Sequence, residues 1–283
     1  MTIIVFGGTG FIGQHTLEHF EKRGAKTLTV SQSDKTGDLK ADIRKPIRLK
    51  GDFSAVLHLA GKKNLKTGES QTAFFDTNMH GTLNVLEFCR KKDVRKIVFA
   101  STCAVYGKRL SGVITETSPL HTTSYYGLSK IGAENLVIEH SHMYGLEYSI
   151  LRYSTVFGPL QPRQSIVSKI INGCKNNRNF LFDRESHMNL VYVGDVARAN
   201  YLALKSKQSG VFNVAGEENV SIKQLATYTK KILKSKSKVE AKKKRRNRFQ
   251  IYVSKTKKEL GFSPNYSWKT GLLETIRLKK KHQ

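Results

Sequence analysis

The chain of 283 residues is 39% hydrophobic with five prolines, which excludes a disordered or fibrous polymer and leaves room for one large domain or two closely packed ones. No stretch approaches the roughly 18 apolar residues of a bilayer span, no cationic leader precedes the apolar start, and Cys89, Cys103 and Cys174 are too scattered for a disulfide framework or metal site, so the expectation is a cytoplasmic protein without a metal. The net charge of +27 is concentrated in residues 205–283, which hold 22 Lys/Arg against 5 Asp/Glu; such a surface favours anionic partners unless it merely stays solvated.

Ile3–Phe6 reads as a buried strand, followed by Gly7-Gly8-Thr9-Gly10-Phe11-Ile12-Gly13 and a helical stretch over 12–22. A phosphate cradle needs glycine where the chain turns off the strand, where backbone approaches a pyrophosphate, and where the helix packs on the strand. Gly7, Gly10 and Gly13 fill these places. An ordinary glycine-rich turn is the alternative, and the strand before and helix after favour a dinucleotide cradle.

Further strands are predicted at Thr27–Val30, Ala55–Leu59, Lys96–Ala100 and Tyr148–Leu151, with helices near 72–91 and 125–143. This alternation predicts parallel strands joined by helical crossovers, an α/β doubly wound sheet of Rossmann type. Too few residues separate the second strand from Asp42 for a full helix. Past residue 152 the spacing predicts a helix over Gln164–Cys174, a strand over Asn189–Val193, a helix over Asp195–Lys205, a strand over Val211–Val214, a helix over 222–233 capped by Ser221, and a short last helix over Leu272–Leu278. The expected division is a dinucleotide-binding domain over 1–152, with 189–205 packing back onto it, and a smaller α/β substrate-binding region over 153–283.

Tyr126 and Lys130 stand four apart on the helix of 125–143 and project from one face. An ammonium beside a phenol stabilises phenolate, so the pair suits proton exchange with a sugar hydroxyl during hydride transfer. Tyr125 would leave a spacing of five and face elsewhere. Ser101 and Thr102 fall at the carboxyl end of a buried strand, where open α/β sheets bind ligands, and Thr102 could share the oxygen that Tyr126 titrates; simple capping of the strand end is the competing explanation. The basic run Lys242–Arg248 has only Phe249 and Tyr252 nearby to stack on bases, which disfavours nucleic acid and leaves peripheral contact with an acidic membrane open.

These residues together resemble the extended branch of the short-chain dehydrogenase/reductase superfamily, the nucleotide-sugar epimerases, reductases and dehydratases. The likeness runs nearly end to end. It includes the glycine cluster, Ala41-Asp42-Ile43-Arg44, His58-Leu59-Ala60-Gly61, Asn78-Met79-His80-Gly81-Thr82, the Tyr126 and Lys130 pair, Leu151–Pro159, Asn189–Ala197 and Ser254–Pro264. The resemblance implies catalysis by Thr102, Tyr126 and Lys130, with hydride transfer at a sugar carbon, usually C4. It implies a cofactor held by Gly7, Gly10, Phe11, Ile12, Gly13, Ser31, Asp42, Ile43, Leu59, Ala60, Gly61, Asn78, Tyr126, Lys130, Tyr153 and Val156. A nucleotide-sugar would meet Thr102 and Thr155, and Arg163 or Arg184 could hold its diphosphate. It also implies a homodimer paired through the helices of 72–91 and 125–143.

Several departures from the family pattern bear on function. Ser31 stands where NAD-preferring relatives carry an acid on the ribose hydroxyls, and Lys35 adds favourable charge, so NADP(H) is slightly favoured over NAD(H); Asp34 could replace the missing acid. Cys103 and Ala104 replace the acid pair of the dehydratases, which removes dehydration. Met188 replaces an arginine on the diphosphate, Asn189 an aspartate and Thr155 an asparagine. A 4-keto reductase and a 4-epimerase both remain, beside a noncatalytic dinucleotide-binding or RNA-associated relative, which would have no need of the tyrosine and lysine.

Overall fold

The computed structural model describes residues 2–32, 37–107, 112–182, 186–241 and 249–281. Seven strands form one wholly parallel sheet in the spatial order Gly210–Val214, Glu147–Tyr153, Lys96–Thr102, Ala55–His58, Thr2–Phe6, Lys26–Ser31 and Leu39–Lys40. Helices cover both faces, which is why the strands are apolar throughout instead of alternating. Successive residues serve opposite layers. Ile4 and Phe6 join Val85, Phe88 and Val137 from the helices Gly81–Lys91 and Tyr125–Tyr144. Val5 faces Phe20, Val196 and Ala199 from the helices Phe11–Glu21 and Val193–Lys205, which pack on each other.

The chain reverses direction across the sheet between Thr2–Phe6 and Ala55–His58, and at such a switch point the loops diverge and open a crevice at the carboxyl ends. The glycine cluster enters that crevice. Past residue 153 a separate apolar layer gathers Phe157, Val167, Ile171, Leu225, Trp268 and Leu272, roofing one side of the same edge.

The expected strands and helices are present, and apart from the last helix and the segment 72–91 their ends lie within two residues of the expected ones. The second crossover carries no helix among the described residues, only the two-residue strand Leu39–Lys40. The helix expected over 72–91 is Thr72–Phe75 and Gly81–Lys91 joined by the wide π turn Asp76–His80. The last helix begins four residues earlier than expected, at Trp268, and runs to Lys281. Ser221 caps Ile222–Ile232 in a full capping box with Gln224. Three-residue strands pair Gly112–Ile114 with Phe249–Ile251 and Phe180–Phe182 with Val239–Ala241; segments so short, with partners so distant, have no readable period.

Candidate active site

Three adjoining cavities of about 650, 710 and 710 Å³ form a cleft along the carboxyl edge of the sheet, and Lys63 and Asn64 line all three. The cleft begins at the glycine turn. Gly7 has φ of +85°, and a Cβ there would stand 2.6 Å from the Ala60 nitrogen, so two loop backbones meet where no side chain fits. Gly13 lies against the Gly7 and Gly8 carbonyls, where a Cβ would collide. The helix that follows has Gly10 as its N-cap with no side-chain cap, leaving its first amides for an anion. Phe11 and Ile12 line the middle cavity; Gly7, Ala60 and Gly61 line the first.

At the first cavity's far end, Asp42 and Ile43 form the wall. Arg44 grips the Asp42 carboxylate, Nη2 to Oδ2 at 2.6 Å and Nε to Oδ1 at 3.0 Å, and this ion pair holds Asp42 below the usual carboxylate range. Ser31 is buried beneath Gly37, and its neighbour Gln32 faces the cavity. Asp34 and Lys35 lie outside the described residues. Asp38 accepts a hydrogen bond from the Thr29 amide at 2.7 Å. Both described carboxylates in this region therefore have protein partners.

Tyr126 and Thr102 meet where the second and third cavities join. Ser124 caps the helix by accepting from the Gly127 amide at 3.1 Å, which sets Tyr126 in the first turn facing the cleft; Tyr125 is exposed and meets Phe75. Thr102 ends its strand and accepts from the Ala104 amide at 3.2 Å. Its hydroxyl also hydrogen-bonds Tyr126, so capping and site geometry coexist.

Burial pushes the Tyr126 phenol up to about 12, with the Thr102 hydrogen bond pulling the other way. The direction is opposite to that expected from an ammonium neighbour, because desolvation dominates and Thr102 supplies the counterweight. Lys130 is buried, its Nζ 4.3 Å from the centre of the Phe99 ring. Burial lowers it to about 8, with Glu134 opposing.

Asn78, at the centre of the π turn, takes the Lys62 amide on Oδ1 at 2.7 Å and donates to the Lys62 carbonyl and to Ser129 Oγ, both at 2.9 Å. It clamps the Gly61–Lys62 loop from behind. Leu59 packs into the core below that loop, its amide bonded to the Phe6 carbonyl at 2.8 Å. The Tyr153 hydroxyl turns away to Asn200 at 2.6 Å, although the residue borders the cleft together with Thr155 and Val156. Asn189 makes a two-way bond with Gly216, 2.9 and 2.8 Å, while Met188 and His187 line the cleft beside it. Arg163 is exposed and does not line the cavities; Arg184 and the run 242–248 lie outside the described residues. Lys63, Asn64, Phe74 and Gln164 line the cleft without having been singled out. For Lys63 and Asn64 the available signal was their place in the loop that follows the strand Ala55–His58 at the carboxyl edge; Phe74 and Gln164 carried none.

Among the described residues no group of three or more His, Cys, Asp or Glu is arranged to hold a metal ion, and the three cysteines are buried and unpaired. No helix among them is long and apolar enough to cross a membrane.

Residues 3–215 match the model of the NAD dependent epimerase/dehydratase family. A Methanocaldococcus jannaschii protein provisionally named UDP-glucose 4-epimerase is 32% identical over 301 residues, covering 98% of each chain. The UDP-glucose 4-epimerase of Thermotoga maritima, solved with UDP-glucose, superposes with a TM-score of 0.87 at 27% identity over 100% of this chain and 99% of that one. The Thermus thermophilus UDP-glucose 4-epimerase, solved with NAD, gives 0.83 at 26% identity over 98% of both. With the glycine turn, the doubly wound sheet and the Thr102, Tyr126 and Lys130 cluster in place, this chain belongs to the NAD-dependent epimerase/dehydratase family, enzymes of the extended short-chain dehydrogenase/reductase type.

Proposed function

We propose that this enzyme is a 4-epimerase of a UDP-sugar. The observation that carries the reading is the meeting of the Tyr126 and Thr102 hydroxyls at the junction of two cavities, one turn from the buried Lys130. Whole-length likeness to proteins named UDP-glucose 4-epimerase supports the substrate class.

The cleft fits a dinucleotide, because its first stretch is bare backbone at Gly7, Ala60 and Gly61 with an uncapped helix start behind it. In this reading the amides at Phe11 and Ile12 receive the pyrophosphate, Gly10 closes the turn with its own amide on the Gly7 carbonyl, Gly13 allows the close packing, and Asp42 and Ile43 flank the adenine. Gly61, held by Asn78, borders the ribose beside Lys130, and Tyr153 and Val156 border the nicotinamide. A bound dinucleotide supplies the acceptor and donor of a hydride. Tyr126 Oη takes the proton of the sugar's C4 hydroxyl and later returns it, and Thr102 holds the same oxygen so that the proton transfer stays aligned. Lys130 keeps positive charge beside the developing phenolate. Thr155 meets the sugar; with Arg163 off the cleft, Arg184 is assigned to the diphosphate. The enzyme acts in the cytoplasm as a homodimer, supported by the exposed Leu83 and Leu128 on the helices Gly81–Lys91 and Tyr125–Tyr144.

One observation favours a second reading, an NADPH-dependent 4-keto reductase: Ser31 is no acid and the Asp42 carboxylate is neutralised by Arg44, which lowers the repulsion of a 2′-phosphate at this end of the cleft. A panel of UDP-, dTDP-, GDP- and CDP-sugars decides between the two. The epimerase interconverts C4 epimers of a UDP-sugar with NAD that copurifies, and Tyr126→Phe lowers kcat by roughly 10²–10⁴ with KM little changed. Stoichiometric consumption of NADPH would select the reductase, and full turnover by Tyr126→Phe would overturn both.

A further inference from the structure

The most extensive polar cluster outside the cleft lies directly behind it. Glu134 and Arg152 are 2% and 4% exposed and form a forked ion pair, Arg152 Nη2 to Glu134 Oε2 at 2.6 Å and Nε to Oε1 at 3.1 Å. Ser101 Oγ donates to the same carboxylate. Arg152 Nη1 donates onward to the Tyr106 hydroxyl and to the Glu116 carbonyl, both at 3.0 Å. Tyr106 in turn donates to Asn213 Oδ1 at 2.7 Å, and the Cys103 thiol donates to the Arg152 carbonyl.

Each anchor stands next to a residue of the site. Ser101 precedes Thr102, Arg152 precedes Tyr153, and Glu134 follows Lys130 by one turn of the same helix, with Tyr126 one turn earlier. A single carboxylate thus ties together the helix and both strands that carry the cluster. We propose that Glu134 is a positioning residue that sustains the ammonium of Lys130 and fixes the Thr102 strand against the Tyr126 helix, an inference that rests on the proposed roles of those three residues.

The electrostatics agree in sign. Burial strips Lys130 of hydration, and Glu134 is the group that opposes the loss of its proton. Lys130 meets the Phe99 ring from the adjoining strand, and the buried His58, held neutral by desolvation, faces it from the next strand. Tyr126 stands on its own helix. Around Glu134 stand Arg152, Ser101 and the Cys103 thiol, and behind Arg152 the Tyr106 phenol and Glu116. Arg152 balances the carboxylate's charge through its two-pronged fork, so that neither charge of the pair is buried alone.

The test is an NMR titration of the Lys130 side chain in ¹³C-lysine-labelled, ligand-free enzyme, its resonance assigned by loss in Lys130→Met. The wild type should titrate near pH 8. Glu134→Gln should lower the midpoint by about one pH unit or more, with the alkaline limb of kcat moving in step, and Glu134→Asp should return it toward the wild type. If Glu134→Gln does not fold, the double variant Glu134→Leu/Arg152→Met removes both charges without orphaning either and should lower the midpoint in the same direction, by less than Glu134→Gln because the Arg152 cation goes with the carboxylate. A midpoint within about 0.3 unit of wild type in whichever variant folds, even with a lower melting temperature, would reduce Glu134 to a structural residue and overturn the inference. Undiminished turnover by Lys130→Met would instead overturn the proposed function and leave the titration result intact.

Discussion

The ammonium of Lys130 lies 4.3 Å from the centre of the Phe99 ring. An aromatic face attracts a cation without being able to take its proton, so Lys130 has a partner that compensates only part of its lost hydration, and burial holds it at about 8. As pH rises past 8 the site loses its positive charge, and kcat should fall along a limb centred there. Stability moves the other way: the depressed lysine is a full penalty below pH 8 and is relieved as pH rises toward 10.5. Lys130→Met should therefore raise stability at pH 7, by about 3 kcal/mol for a shift of that size, with the gain vanishing near pH 10.5. Denaturant melts of both proteins across that range check the sign.

Gly7 and Gly24 both have positive φ, +85° and +66°, but only Gly7 faces backbone, and the space beside Gly24 is open. Gly24→Ala should cost about 1 kcal/mol from conformation alone. Gly7→Ala must also displace Ala60, so it should cost about 3 kcal/mol or more and abolish dinucleotide binding. Calorimetric titration with NAD⁺ alongside thermal melts separates the two effects.

Ser31 ends the second strand of the cleft, and no described carboxylate nearby is free of a protein partner. Ser31→Asp should tighten NAD⁺ and weaken NADP⁺, shifting their affinity ratio about tenfold or more toward NAD⁺ through repulsion of the 2′-phosphate. Equal binding of the two cofactors before and after the change would show that this strand end does not read the ribose.

Leu128 is 46% exposed on the Tyr125–Tyr144 helix and Leu83 is 38% exposed on Gly81–Lys91. If these faces pair in a homodimer, Leu128→Glu buries a charge and should shift the protein to monomer in analytical ultracentrifugation, with the melting temperature of the monomer little changed. A wild type already monomeric would refute the pairing.

Much of the fold was legible because the central strands are apolar on both faces and separated by helix-length segments; Ile4 and Val5 bury into opposite layers, as a covered sheet requires. Tyr126 could be separated from Tyr125 by helical spacing to Lys130 alone. What spacing could not show is what burial does: it raises the Tyr126 phenol instead of lowering it. Nor could it show that the Tyr153 hydroxyl turns toward Asn200 or that Arg163 stands off the cleft. Lys63 and Asn64 have no motif that marks them; they matter through the path of a loop held by Asn78, 14 residues downstream.

The π turn Asp76–His80 adds one residue to a helix that would otherwise run evenly from Thr72 to Lys91. One residue is about 100° of helical rotation, so the segments on either side are phased differently. Phe74 before it meets Tyr126 at 6.2 Å and borders the substrate cavity, while Val85 and Phe88 after it fill the core. At a uniform pitch the helix could not serve both: with the core face fixed, Phe74 would swing away from the tyrosine. The shape of the sugar chamber is therefore set partly by a local miscount in backbone winding, and a one-residue deletion within 76–80 would remodel that chamber while every residue lining it kept its identity.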